Sequence, residues 1–192
     1  MIKLKVPISE EDIRKLKVGD EVLLSGIIVT ARDQAHKLMV EEKPDFIRKY
    51  LKESVIYHCG PIIKKNTDGS WSFVSAGPTT SIREEPYQAD IICEYNVRGV
   101  IGKGGMREKT LEGLKKCGAV YLHAVGGAGT LIANSVKKVV TVFKLEEFGS
   151  PEAFWVIEVE DFPVIVTMDS HGNSLHKKIL EESGKVMQEL IG

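Results

Sequence analysis

Val22-Leu23-Leu24-Ser25-Gly26-Ile27-Ile28-Val29-Thr30 is a largely apolar, β-branched run, and it passes without a break into Ala31-Arg32-Asp33-Gln34-Ala35-His36-Lys37. The first stretch reads as a strand and the second, rich in helix formers, as the helix that follows it. Polar groups converge at such strand-to-helix junctions, and Arg32, Asp33 and His36 stand at this one. Toward the N-terminus, Ser9 and Asp12 form a capping-box pattern for a short helix carrying Ile13 and Leu16, which stops at Val18-Gly19-Asp20. Toward the C-terminus, Pro44 to Leu51 reads as another short helix with Pro in its first turn. Val55 to Ile63 and Trp71 to Ser75 flank the turn Asn66-Thr67-Asp68-Gly69, which predicts a hairpin.

The alternation continues to the end of the chain. A helix around Pro86 to Tyr95, with Ala89, Ile92 and Cys93 on one face, precedes a strand from Val97 to Ile101. A helix from Arg107 to Lys116 ends at Cys117-Gly118, a C-terminal glycine stop, and Ala119 to Ala124 is the next strand. Gly126-Gly127-Ala128-Gly129-Thr130 opens a further helix. Lys138 to Phe143, Trp155 to Val159 and Pro163 to Met168 read as strands, the last two pairing around Glu160-Asp161. Asp169 to Asn173 is a turn, and Leu175 to Leu190 a closing amphipathic helix. With no repeat, low-complexity tract or linker, the pattern predicts one mixed α/β domain over residues 1–192.

Composition narrows the function classes. Hydrophobic residues at 43% and charged residues at 28% fit a folded globular chain. The 26 basic and 27 acidic residues leave a net charge of -1, so no chain-wide field draws nucleic acid or anionic membrane, and any anion site must be local. No stretch approaches the roughly 18 apolar residues of a membrane span, and Met1 to Glu10 lacks a signal-like apolar run, so a cytoplasmic protein without a membrane partner is expected. Cys59, Cys93 and Cys117 are odd in number and lack a CxxC pair, which predicts buried or free thiols in a reducing compartment. They cannot supply four thiolates to a cluster, and His58, His123, His171 and His176 show no ligand spacing, so no metal site is expected on this chain.

Three loops carry chemistry. Gly77-Pro78-Thr79-Thr80-Ser81-Ile82-Arg83 sets two hydroxyls and a guanidinium where a helix is expected to begin, so free N–H groups there would favour a carboxylate and Arg83 would clamp it with two parallel hydrogen bonds. Simple helix capping by Thr79 or Thr80, with a solvated Arg83, is the bland alternative. Gly102-Lys103-Gly104-Gly105 surrounds a lysine with glycines that permit positive φ and close approach of N–H groups to an oxyanion. It is not a Walker A loop, since Gly104 rather than Ser or Thr follows Lys103 and position 97 is Val. It does resemble the GXXG turn of KH RNA-binding modules, which keeps a nucleic-acid reading open. The third loop is the Arg32 junction, where an exposed ion pair and an ordinary histidine are the alternatives to a site. Gly126 to Gly129 serves tight helix packing or a further anion nest.

Taken in order, Thr30 to His36, His58-Cys59-Gly60-Pro61, Ala76 to Arg83, Gly102 to Met106, Gly126-Gly127-Ala128 and Trp155 to Pro163 resemble the class I fumarase family, specifically its β subunit or C-terminal domain. L-tartrate dehydratase β subunits share much of the pattern. The resemblance implies a swivelling three-layer β/β/α domain with mixed sheets, beside a cluster-bearing α subunit that holds a 4Fe-4S cluster with one iron free to act as Lewis acid. It implies Thr79 as the proton-transfer residue and Arg32, Arg83 and Lys103 as binders of the substrate carboxylates, with Asp33, His36, Thr80 and Gly104 in support. Fumarate and L-malate are the expected substrates, ahead of L-tartrate, and a dimer of heterodimers is the expected assembly. A threonine hydroxyl is a weak base at neutral pH, so that role requires a neighbouring cation such as Lys103 or Arg83.

Overall fold

The computed structural model describes residues 1–191. Strand β1 (Ile2–Lys5) and helix α1 (Glu10–Lys15), capped by Ser9 accepting from the Asp12 N–H, lead to the long strand β2 (Glu21–Thr30). Helices α2 (Asp33–Glu41) and α3 (Asp45–Leu51) follow, then β3 (Val55–Tyr57), β4 (Ile62–Lys65) and β5 (Trp71–Ser75). A single 3-10 turn (Ser81–Glu84) runs into α4 (Glu85–Tyr95), and β6 (Gly99–Gly102), α5 (Glu108–Cys117) and β7 (Val120–His123) continue the alternation. The chain closes with α6 (Gly129–Ala133), β8 (Val136–Phe143), α7 (Leu145–Phe148), β9 (Phe154–Met168) and α8 (Leu175–Ile191).

Seven strands form one mixed sheet in the order β1-β2-β3-β6-β7-β9-β8, and β2 also pairs with β9, so the sheet folds back on itself. The parallel strands β2, β3, β6 and β7 are covered on both faces, which explains their nearly continuous apolar character. Alternation divides their side chains between two cores. Ile28, Tyr57, Ile101, Leu122 and Trp155 point into the fold of the sheet. Val29, Ile56, Val100, Tyr121 and Val156 face the helices, against Met39, Ile47, Leu51, Ile92 and Leu114. Each fully buried aliphatic side chain contributes about 1.5–3 kcal/mol.

The structure corrects several expectations. Trp155 to Met168 is not a hairpin but one strand, β9, because the ten residues of β2 give it a full-length antiparallel partner; the break at Glu160-Asp161 is a register shift opposite Leu24/Gly26, with Asp161 at φ 48°. Gly26 has φ 120° and lies so close to Val6 that a Cβ would come within 2.9 Å of its Cβ, so only glycine bends the strand here. Val55 to Ile63 is split: β3 enters the main sheet, and β4 alone pairs with β5. The hairpin of β4 and β5 leans on the core through Trp71 and Phe73, whose rings meet Trp155 edge-on at 5.6 and 6.0 Å. The helix expected at Gly126 starts at Gly129, where a Cβ would meet Gly77 backbone at 3.1 Å, so packing accounts for this glycine.

The expectation of free thiols is also corrected. Cys93 of α4 and Cys117 of α5 form a disulfide with Cα atoms 5.5 Å apart. The cause is close helix approach: a Cβ on Gly113 would sit 2.9 Å from Ala89 Cα, and that contact brings the two cysteines together. Cys59 alone is free, and it is buried. Among the described residues no helix is long and apolar enough to cross a membrane.

Candidate active site

The carboxyl ends of β2, β3, β6 and β7 lie side by side along one edge of the sheet, the place where parallel α/β sheets bind ligands. Arg32 follows β2, His58 follows β3, Lys103 follows β6 and Val125-Gly126 follow β7. The segment from Gly77 to Arg83 is laid across these ends by backbone hydrogen bonds. Thr79 N–H donates to His58 C=O at 2.7 Å, Lys103 N–H to Thr79 C=O at 3.3 Å, and Ser81 N–H to Lys103 C=O at 3.1 Å. Thr79 and Lys103 are thereby neighbours although 24 residues apart in sequence.

The expected anion cradle at a helix start is replaced by something different. Ser81–Glu84 is a 3-10 turn, Thr80 makes no side-chain cap, and the N–H groups of Thr79 and Ser81 are already bonded to backbone carbonyls. Those two backbone N–H groups are therefore not free to receive an anion. Thr79 is half-buried, and its hydroxyl has no hydrogen-bond partner among the described residues. Lys103 makes no ion pair among them either, and its aliphatic stem passes beside Gly126, whose Cβ would lie 3.6 Å from Lys103 Cδ. The glycine expectation at the lysine turn holds: Gly104 and Gly105 have φ of 80° and 75°.

Arg83 is exposed and paired with Asp33 through both Nε, at 3.3 Å from Oδ1, and Nη2. Asp33 therefore joins the Arg32 turn to the Thr79 loop rather than pairing with its neighbour Arg32. Arg32 instead lies 3.3 Å from Glu152 Oε1, without hydrogen-bond alignment at its Nε. Gly60 makes room for it, since a Cβ there would collide with the guanidinium.

Beneath these four residues lies a polar layer that pattern reading missed, apart from His36. His36, His58, Ser81, Glu84, Gln88 and Tyr121 are all fully buried. Gln88 Oε1 lies 2.9 Å from His36 Nε2 and 2.7 Å from His58 Nε2, while its Nε2 has no partner among the described residues. His36 Nδ1 faces Arg32 C=O at 2.9 Å, His58 Nδ1 meets Ser81 Oγ at 2.8 Å, and Tyr121 OH donates to Ser81 Oγ at 2.8 Å. Gly102 is a requirement of this layer, because a side chain there would overlap Ser81 Oγ and crowd Tyr121 OH and His58 Nδ1. One signal was legible: Gln88 is a polar residue on the face of α4 that also carries Ala89, Ile91, Ile92 and Tyr95 into the core.

Burial sets the ionisation of this layer. It lowers His36 and drives His58 well below the ordinary histidine value, in His58 with help from the neighbouring His36 ring, since the two could not both be charged at this distance. Glu84 is pushed up to about 9, first by burial and then by the Asp33 carboxyl beside it. Its oxygens have no hydrogen-bond partner, although His36 Nδ1 lies 3.6 Å from Oε2. For Asp33, burial works in the raising direction, but its contacts with Glu84 and Arg83 outweigh that and lower its pKa. At neutral pH, Glu84 is the acid of the pair and Asp33 the anion held against Arg83.

The thiols do not suit a cluster. Cys93 and Cys117 are bonded to each other, and the buried Cys59 thiol is pushed up to about 12 by burial, away from the thiolate that iron requires.

Known proteins carry the same chain pattern. The Fumarase C-terminus family profile matches residues 1–179. A protein of Geobacillus stearothermophilus provisionally named a class I fumarate hydratase is 51% identical over 183 residues, covering 95% of this chain. The match spans only 35% of that relative's length. A Methanocaldococcus jannaschii protein provisionally named as the β subunit of an L(+)-tartrate dehydratase is 47% identical over 191 residues, 96% of each chain. The β subunit of L(+)-tartrate dehydratase from Escherichia coli K12 is 40% identical over 183 residues, 93% of this chain and 90% of its own. By profile and by identity over most of its length, the chain belongs to the Fumarase C-terminus family.

Proposed function

We propose that this chain is the small, β-type subunit of a two-subunit hydro-lyase that interconverts fumarate and L-malate. One of its relatives carries the name of a class I fumarate hydratase and two that of an L(+)-tartrate dehydratase β subunit, all hydro-lyases. The observation that carries the reading is the meeting of Thr79, Lys103, Arg83 and the Arg32 turn at one sheet edge, through the Thr79, Lys103 and Asp33 contacts. A four-carbon dicarboxylate carries a negative charge at each end, and two guanidiniums and an ammonium suit it. In this reading Arg32, Arg83 and Lys103 hold the carboxylates, and the unbonded Thr79 hydroxyl takes the proton from the carbon next to the one that loses hydroxide. Lys103, linked to Thr79 through the backbone, is the cation that would lower the cost of an alkoxide.

A 4Fe-4S cluster belongs in this reading to the partner α subunit and would supply a Lewis acid for the departing hydroxyl. The folded-over sheet and its cover of helices are the parts of the swivelling β/β/α arrangement we assign to the subunit, and a dimer of heterodimers is the assembly we assign to the complex. Sedimentation of the co-expressed complex tests that stoichiometry. Nucleic acid is not a partner in this reading. Gly102 and Gly105 of the GXXG-like turn are buried, which removes the open clamp that an RNA backbone needs.

L-tartrate as substrate is the second reading, favoured by two relatives, 47% and 40% identical, that are named as tartrate dehydratase β subunits. The deciding experiment is anaerobic reconstitution with a cluster-bearing partner, followed by assays on fumarate, L-malate and L-tartrate. Activity of the complex and none from the chain alone is expected. Full activity of the chain alone, or none of the complex on any of the three acids, would overturn the proposal.

A further inference from the structure

We infer that Gln88 is a positioning residue of the candidate site, its carboxamide bridging the rings of His36 and His58 and so tying the turn that carries Arg32 to the loop that carries Thr79 and Arg83. The inference rests on the hydro-lyase reading of those residues, but its geometry stands by itself. His36 grips Arg32 C=O with Nδ1, 2.9 Å away, and His58 grips Thr79 N–H with its own C=O and Ser81 with its ring. Among the described residues Gln88 alone hydrogen-bonds to both rings, whose centroids are 5.0 Å apart.

The polarity of the bridge follows from its partners. A backbone carbonyl only accepts, so His36 Nδ1 carries the hydrogen, and in a neutral ring its Nε2 is then a lone pair. The structure sets Gln88 Oε1 between the rings and leaves its Nε2 without a partner among the described residues; a half-turn of the carboxamide exchanges the two ends, the Nε2 lone pair of His36 calls for the NH2 end, and the second hydrogen of that NH2 then falls to His58 Nε2. His58 is then also an Nδ1–H ring, donating to Ser81 Oγ. Both rings stay neutral, as their burial requires, and every ring nitrogen is satisfied. A methionine would fill the same volume without polar atoms, so a glutamine here serves geometry rather than packing.

The full-length chain labelled with 15N-histidine tests this directly. Both His36 and His58 are expected to show neutral Nδ1–H rings, and a neutral Nε2–H or a cationic form for either would overturn the donor assignment. In Gln88→Met, exchange of the Thr79 and Ser81 amides with solvent is expected to rise by about tenfold or more while β2 amides keep their protection. In the complex with the cluster-bearing subunit, the same variant is expected to lower kcat by about 10- to 100-fold with KM within about threefold. Unchanged exchange at Thr79 and Ser81, or unchanged kcat, overturns the positioning role. Should Gln88→Met fail to fold, Gln88→Leu removes the same polar atoms with a smaller side chain, and it is expected to give the same exchange and kcat changes. A wild-type complex inactive on every dicarboxylate would defeat the functional reading, while ring tautomers and amide exchange still decide the bridge.

Discussion

Glu84→Gln isolates the acid buried under the site. Glu84 is fully buried, with a pKa near 9 against an ordinary 4.5, so between those values the folded chain holds one proton more than the unfolded chain. Stability contributed by the protonated form is complete below the lower value and is lost as pH rises toward the upper one. The linkage slope inside that window is about 1.4 kcal/mol per pH unit. From pH 6 to pH 8 the wild type should therefore lose about 2–3 kcal/mol relative to Glu84→Gln, which cannot ionise. His36 and His58 titrate in both proteins and largely cancel from the difference. A glutamine is likewise uncharged beside Asp33 and nearly the same size, so the two proteins should be similar in stability at pH 6 and diverge above it.

Urea unfolding followed by far-UV circular dichroism at pH 6, 7 and 8 measures that divergence. The competing possibility is an ionised Glu84 paired with a protonated His36, 3.6 Å away. Breaking such a buried pair costs about 3–5 kcal/mol. A variant less stable by that amount at every pH would therefore refute the neutral-acid assignment, as would a gap between the two proteins that does not change with pH.

Four further outcomes follow from contacts at the site and behind it. Gly102→Ala drives a Cβ into Ser81 Oγ and should destabilise the chain by about 1–3 kcal/mol in a thermal melt, with loss of activity in the complex. Arg83→Lys should not rescue the loss of dicarboxylate turnover seen in Arg83→Ala, because an ammonium cannot reproduce a two-pronged carboxylate contact; circular dichroism should find both folded, since Arg83 is exposed. Thr79→Ser should keep a measurable kcat and Thr79→Val, which preserves shape without the hydroxyl, should lose at least about 100-fold, so equal rates for the two would exclude the hydroxyl from proton transfer. Reduction of Cys93–Cys117, which are 24 residues apart in sequence, should lower stability by about 3 kcal/mol, read as a lower denaturation midpoint with reductant.

Local pattern carried the fold as far as local forces reach. β2, α3, α5 and the β4–β5 turn were legible because apolar runs, proline at a helix start, a glycine stop and an Asn-to-Gly turn act within a few residues. The fate of Glu160-Asp161 depended on β2, more than 130 residues upstream, and only pairing along its full length decides between a hairpin and one bent strand. The Cys93–Cys117 bond likewise needed the contact of Gly113 with Ala89, which no spacing rule contains. Arg32, Thr79, Arg83 and Lys103 were readable as an ordered motif set, whereas Asp33 joining Arg83 and Gln88 joining two histidines are matters of position in space. Gln88 shows the boundary: its polarity on a core face was visible, but its purpose was not.

Charge at the site explains why a neutral Glu84 matters. Arg83 is engaged by Asp33 and Arg32 lies against Glu152, so only Lys103 among the three cations has no ion-pair partner among the described residues. Three cations and two carboxylates leave one net positive charge; an ionised Glu84 beside Asp33 would cancel it and repel an incoming dianion. Holding Glu84 as an acid keeps Asp33 available to orient Arg83 without adding a second negative charge behind it. A dicarboxylate arriving at this edge competes with Asp33 for Arg83 and with Glu152 for Arg32, while Lys103 is open to it at once. In the proposed complex, positive charge on the partner's side would complete the balance for a dianion. That division of charge predicts weak dicarboxylate binding by the isolated chain, read by calorimetry, and a gain in affinity once the partner is present; tight binding to the chain alone would show that its own cations suffice.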